Sequence, residues 1–139
     1  MSRYLLDTNA AADAIFRRRG VPERVKAAME AGHDLGIGSP VLGELYAGVE
    51  YSKSRDANLA TLRHSLKAFR LWPFTPEAAE VYGRLYAELR RKGRIIQQVD
   101  LQIAAIAICL GQCTVVSEDN DLWAVPGLRV ERWAIQEPD

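Results

Sequence analysis

Two patterns of apolar residues take turns along the chain. Short, nearly unbroken apolar runs stand at 3–6, 34–38, 71–74, 113–117 and 128–133, and read as strands. Between them, apolar residues recur at the three-to-four spacing of a helix. Helices are expected from about Asn9 to Arg19, stopped by Gly20, and from Pro22 to Ala31, ended by Gly32. Another runs from Ser39 to about Tyr51, with Ser39 as N-cap and Pro40 at the first helical position, and one covers roughly Asp56 to Phe69. Thr75-Pro76-Glu77 opens a long amphipathic helix that closes near Lys92-Gly93. Asp100 opens a helix to Leu110, stopped by Gly111, and Asp119 to Trp123 reads as one turn. Pro73 points its strand to an edge or a strand end. The tail from Gln136 is expected to fray.

Strands that alternate with helices define the α/β class. Connections of this length are crossovers, not hairpins, so the sheet is expected to be parallel, with four to five strands and helices on both faces. A length of 139 residues suits one domain, 1–139, large enough to bury a core.

Four acids stand where this pattern turns. Asp7 ends the first run, and Glu44 lies about one turn into the helix that follows the second. Asp119 follows the fourth run by two residues. Asp100 opens a helix that returns to feed the fourth strand, so it starts at the same edge of the sheet. In open α/β sheets that carboxyl edge is where ligands bind. Taken singly, Asp7, Asp100 and Asp119 are ordinary helix N-caps. Glu44 lies too deep in its helix to be one, and it flanks the apolar stripe Val41, Leu45, Val49. Asp100 opens a helix apolar almost all round, hence buried, which partly desolvates the charge at its mouth. Four carboxylates on one rim cannot all stay ionised without a cation. Divalent metal binding is the simplest chemistry for them, and through it the attack of water on a phosphate ester.

Thr8 and Asn9 place a hydroxyl and an amide beside Asp7, and Ser117 places a hydroxyl near Asp119. They suit either the support of ligating carboxylates or local turn chemistry. Asp121 is a spare acid near the site, and solvent exposure explains it equally simply.

Composition narrows the field. Formal net charge is zero, so no global field draws the chain to nucleic acid or to an anionic membrane. Cations gather locally at Arg17, Arg18, Arg19, Arg24 and Lys26, and again at Arg84, Arg90, Arg91, Lys92 and Arg94. Each cluster reads either as a solvated helix face or as a phosphate-contacting patch. Cys109 and Cys113 lack the ligand count for zinc and read as reduced core residues of a cytoplasmic protein. No signal peptide and no membrane span is expected. His33 and His64 lie away from the acids, which argues against Ser-His-Asp or paired-histidine hydrolysis. Dinucleotide and P-loop signatures are absent. Trp72, Trp123 and Trp133 are expected to pack in the core or an interface, as are Tyr82 and Tyr86.

The motifs have a familiar order. Tyr4-Leu5-Leu6-Asp7-Thr8-Asn9 resembles the opening of PIN-domain proteins. Ser39-Pro40-Val41-Leu42-Gly43-Glu44-Leu45-Tyr46-Ala47-Gly48 resembles the second motif of the VapC toxins, the ribonuclease halves of VapBC toxin–antitoxin pairs. Asp100-Leu101-Gln102-Ile103-Ala104-Ala105 resembles their third motif. Thr114 to Asp121, Val125-Pro126-Gly127-Leu128 and Trp133 resemble their C-terminal segment. The resemblance implies a PIN-like three-layer α/β/α fold and a metal-dependent endoribonuclease toxin. It implies Mg²⁺ or Mn²⁺ held by Asp7, Glu44, Asp100 and Asp119 as the catalytic acids. It also implies a structured RNA substrate such as tRNA or rRNA, a VapB-like antitoxin, operator DNA bound only through that antitoxin, and a homodimer. The chain departs from the family at Ile95 and Gln97, where Pro and Gly are usual, and at Ala10, Ala11 and Ala12, which replace bulkier aliphatics. A catalytically silent RNA- or protein-binding module of the same fold is the alternative, and a small-molecule phosphatase or phosphodiesterase using the same metals is a third reading.

Overall fold

The computed structural model describes residues 2–136; the last three residues of the tail expected to fray lie outside them. The element order is β1 (Arg3–Leu6), α1 (Thr8–Ile15), α2 (Val21–Glu30), β2 (Asp34–Gly38), α3 (Ser39–Tyr51), α4 (Arg55–Leu66), β3 (Arg70–Trp72), α5 (Pro76–Arg91), α6 (Gln98–Leu110), β4 (Cys113–Val116), α7 (Asn120–Trp123) and β5 (Arg129–Glu131). The strands form one sheet in the order β3-β2-β1-β4-β5, and every pairing is parallel. Parallel sheets need cover on both faces. Accordingly β4 is buried along its length, whereas the edge strands β3 and β5 are partly exposed. Pro73 follows β3 directly, at the edge, where a missing N–H breaks no ladder.

The order reverses at β1. The chain moves outward from β1 to β2 and β3, then crosses back to place β4 on the other side of β1. That makes the β1/β4 crevice the topological switch point, where the connections leaving two adjacent strands diverge. Register sharpens the argument. Leu6 pairs with both Ile37 and Val116, so β1 and β4 end level and β2 runs one residue further, to Gly38. The Asp7 N–H extends the ladder to the Val116 carbonyl at 3.1 Å, and Ser117 N–H reaches the Glu131 carbonyl at 3.0 Å. Asp7, Gly38 and Ser117 therefore stand at one height, and Ser39 opens α3 one residue later.

Leu5, Leu6, Ile37, Val115 and Val116 on the sheet pack with Val41, Leu101, Ile103 and Ile106 on the helices, all fully or almost fully buried. Each contributes roughly 1.5–3 kcal/mol by leaving water. Apolar strands and an apolar α6 thus supply the core on which the polar rim stands.

Three local expectations are corrected. Helix α1 ends at Ile15, not near Arg19, because Arg17 and Arg19 take left-handed backbone conformations (φ 59° and 55°) that no helix continues. Ser39 is the first helical residue rather than the N-cap; Gly38 holds that position. The Ser39 hydroxyl instead accepts the Phe74 N–H at 3.1 Å and ties the segment after β3 to the rim. Helix α6 starts at Gln98, so Asp100 lies inside its first turn.

Candidate active site

Asp7 is almost fully buried and caps α1, with its Oδ1 accepting the Ala10 N–H at 2.8 Å. An extended backbone ahead of a helix and a short acceptor side chain make Asp a good cap. Asp119 does the same for α7: its Oδ1 accepts the Asp121 N–H at 2.9 Å. Asp100 stands in the first turn of α6, where a negative charge meets the positive end of the helix dipole. Glu44 projects from α3, and the Thr8 hydroxyl donates to its Oε1. Thus one residue beside Asp7 reaches the acid that lies far from it in sequence.

The four acids interact. Burial pushes the Asp7 carboxyl above its ordinary value; the Ser117 hydroxyl and Ala10 N–H pull it back, and the charges of Asp119 and Glu118 push it up again. Asp100 rises to about 7. Burial is the largest cause, followed by the Asp119 charge, a hydrogen bond with the Asp119 carboxyl, and the charges of Asp7 and Glu44. Like charges gathered in a half-desolvated place hold protons that they would lose in water.

Ser117 is fully buried and joins two of the acids. Its Oγ accepts the Asp119 N–H at 2.9 Å, while its hydroxyl faces the Asp7 carboxylate. Of the other supporting residues expected from the sequence, Thr8 holds Glu44, whereas exposed Asn9 lines a neighbouring cleft of about 250 Å³ with Asp13, Arg18, Arg19, Glu118 and Trp133. Asp121 is turned toward a cation, its Oδ1 lying 3.2 Å from Arg94 Nη2. A further cleft of about 410 Å³ runs between α1, α3 and α4, and Thr8, Glu44 and Arg18 are among its lining. Glu118 was missed in the sequence reading. It presses on Asp7 and accepts Ala134 N–H and Gln136 Nε2; its place between Ser117 and Asp119 was the available signal.

An all-oxygen, multiply charged donor set suits a hard divalent cation. Asp7, Glu44 and Asp119 each spend one oxygen on a protein donor and keep the other. As they stand, however, among the described residues no three potential ligands are grouped to hold one ion. The donor chemistry fits a cation; the side chains would have to close around it.

Residues 4–128 match the PIN domain family. The chain belongs to the PIN-domain family. Within it, the chain is 31% identical over 133 residues to the ribonuclease VapC2 of Haemophilus influenzae, covering 96% of this chain and 99% of that one. It is 30% identical over 134 residues to the tRNA(fMet)-specific endonuclease VapC of Salmonella typhimurium, covering 96% and 99%. The VapBC2 complex of Rickettsia felis, solved on a DNA fragment from its promoter, contains a chain with a TM-score of 0.87 and 31% identity, over 94% of this chain and 98% of that one. This PIN domain is therefore similar to VapC ribonucleases over nearly its whole length.

Proposed function

We propose that this chain is a metal-dependent endoribonuclease, the toxin of a type II toxin–antitoxin pair, with residues 1–139 acting as one domain. The observation that carries the reading is the convergence at the carboxyl rim of the sheet of Asp7, Glu44 and Asp119 on Asp100, whose carboxyl their charges and its burial push up. Similarity to proteins named as ribonucleases supplies the substrate class. Asp7, Asp100 and Asp119 would hold Mg²⁺ or Mn²⁺, with Glu44 completing the set. When bound, the cation supplies Lewis acidity that makes attack by water feasible at neutral pH and offsets charge developing on the phosphate.

The chain's own residues do the rest. Thr8 fixes Glu44 through Oε1, which leaves Oε2 to orient water and take its proton. Ser117 holds Asp7 and the backbone of Asp119 in a fixed relation. A structured RNA is the substrate, with tRNA the first candidate. The partner is a VapB-like antitoxin, and promoter DNA is reached through the complex, as in the Rickettsia felis pair. A cytoplasmic location accords with the free thiols of Cys113, which is buried, and of Cys109, which is exposed where a core position was expected. Among the described residues no helix is long and apolar enough to cross a membrane.

Cleavage of total cellular RNA by antitoxin-free protein tests the reading. The assay is run with Mg²⁺ or Mn²⁺, with chelator, and beside Asp7→Asn. Discrete fragments that need both the metal and Asp7 are expected. The alternative outcome is a module of the same fold that binds RNA or protein without turnover. Well-folded protein that binds RNA, never cleaves it and ignores divalent ions would decide for that module.

A further inference from the structure

Helix α7 is four residues long, and its N-cap, Asp119, belongs to the acid cluster. Two arginines from other parts of the chain converge on it. Asp121 Oδ1 holds Arg94 Nη2 at 3.2 Å, and Arg94 comes from the loop between α5 and α6. Asn120 Oδ1 accepts Arg132 Nη2 at 2.6 Å, and the same guanidinium lies 4.9 Å from the centroid of the Trp123 ring. The loop ahead of α6 and the residue just after β5 both emerge at the carboxyl rim, which is why cations far apart in sequence meet here.

Stability does not explain the arrangement. Arg94 and Asp121 are both more than 40% exposed, and pairs of that kind are worth about 0–1 kcal/mol. Trp123 remains 48% exposed, contrary to the packing role expected of it, and its ring carries a cation. Guanidinium groups match phosphate oxygens in geometry and charge, and an exposed indole offers a face to a nucleobase. The two arginines also differ. Arg132 is held by neutral groups and keeps its full charge, whereas Arg94 is neutralised by Asp121.

We propose that Arg94 and Arg132 hold RNA phosphates flanking the bond to be cut, and that Asp121 is an internal counter-charge which Arg94 exchanges for phosphate. This rests on the ribonuclease reading of the acid cluster and extends it to how the strand is gripped.

The test is the affinity of fluorescently labelled bulk tRNA, read by anisotropy in chelator over a series of salt concentrations. The proteins are wild type, Arg94→Ala, Arg132→Ala, Asp121→Asn and the double variant Arg94→Ala/Asp121→Asn. Each arginine variant is expected to bind about fivefold more weakly and to lower the salt slope by about one. Asp121→Asn is expected to bind more tightly, and to have no effect once Arg94 is gone. A structural ion pair predicts otherwise: both partners' variants then shift affinity in the same direction. That outcome, arginine variants within twofold of wild type, or tRNA that does not bind, overturns the proposal. Cleavage of the same tRNA with Mn²⁺ separates the two readings. Arginine-dependent binding without cleavage sinks the ribonuclease alone; metal-dependent cleavage indifferent to Arg94 and Arg132 sinks this proposal alone.

Discussion

Asp100, in the first turn of α6, and Asp119, the N-cap of α7, face each other as like charges. Burial and, after it, the Asp119 charge push the Asp100 carboxyl up from 3.8 to about 7. Below pH 3.8 both the folded and unfolded chain hold that proton, so Asp100 exacts no penalty. Between about 4 and 7 the folded state keeps a proton that the unfolded state releases, and stability falls as pH rises. Above 7 the full penalty applies. Asp100→Asn removes the charge and leaves an amide to donate to Asp119. Because the group is partly solvated, the gain after screening is about 1–2 kcal/mol in metal-free protein at pH 7.5, with little change at pH 4. Thermal melts at the two pH values check this. The same variant is expected to lose cleavage, so stability and activity move in opposite directions.

Asp7 is both a cap and a proposed ligand, and two substitutions separate the roles. Asparagine keeps an oxygen for the Ala10 N–H and removes a charge that burial disfavours, so Asp7→Asn is expected to melt no lower than wild type while activity falls beyond the 10–100-fold typical of losing an outer-shell partner. Asp7→Ala also removes the cap and is expected to lose about 1 kcal/mol more. Equal melts for Asn and Ala would show that the cap contributes nothing. An active Asp7→Asn protein would remove Asp7 from the chemistry.

Gly36 offers a control on the side of β1 away from the β1/β4 crevice. A Cβ there would lie 2.7 Å from the Arg70 carbonyl oxygen and 2.7 Å from the Trp72 ring. The carbonyl belongs to the paired strand β3 and cannot swing aside. Gly36→Ala is expected to destabilise by about 1–3 kcal/mol, seen as a lower urea midpoint. Its kcat well below the transition stays unchanged, because the β1/β4 crevice holds its register without β3.

Period and punctuation made most of the fold legible. Apolar runs too short for helices marked all five strands, and Pro73 pointed to an edge or a strand end; it stands at both. The four acids were legible because three follow strand ends or open a helix, and topology carries those places to one rim. What escaped depended on contacts between distant segments or on one backbone angle. The early end of α1 follows from positive φ at Arg17 and Arg19, residue types that rarely adopt it. Ser39 looked like a cap, yet its hydroxyl serves Phe74, a partner 35 residues away. Trp123 looked like core, yet Arg132 covers its ring. Asp121 looked like a spare acid, and only the fold brings Arg94 to it.

Ser117 links Asp7 to Asp119 without carrying charge, so its removal tests whether the acids work as a unit. In Ser117→Ala the Asp119 N–H loses its acceptor, and Asp7 loses the largest influence that lowers its pKa. Left unsatisfied, this half-buried donor costs about 1 kcal/mol, a loss readable in urea unfolding. The Asp7 carboxyl rises further, so a cation must displace a proton held more tightly. The concentration of Mn²⁺ giving half-maximal cleavage is therefore expected to rise about 10–100-fold, more at pH 6 than at pH 8, because protons compete harder with the cation as pH falls. Ser117→Thr restores the hydroxyl and should recover metal affinity, provided the buried site admits a methyl group. A Ser117→Ala protein that loses stability yet keeps its Mn²⁺ dependence at both pH values would confine Ser117 to the fold.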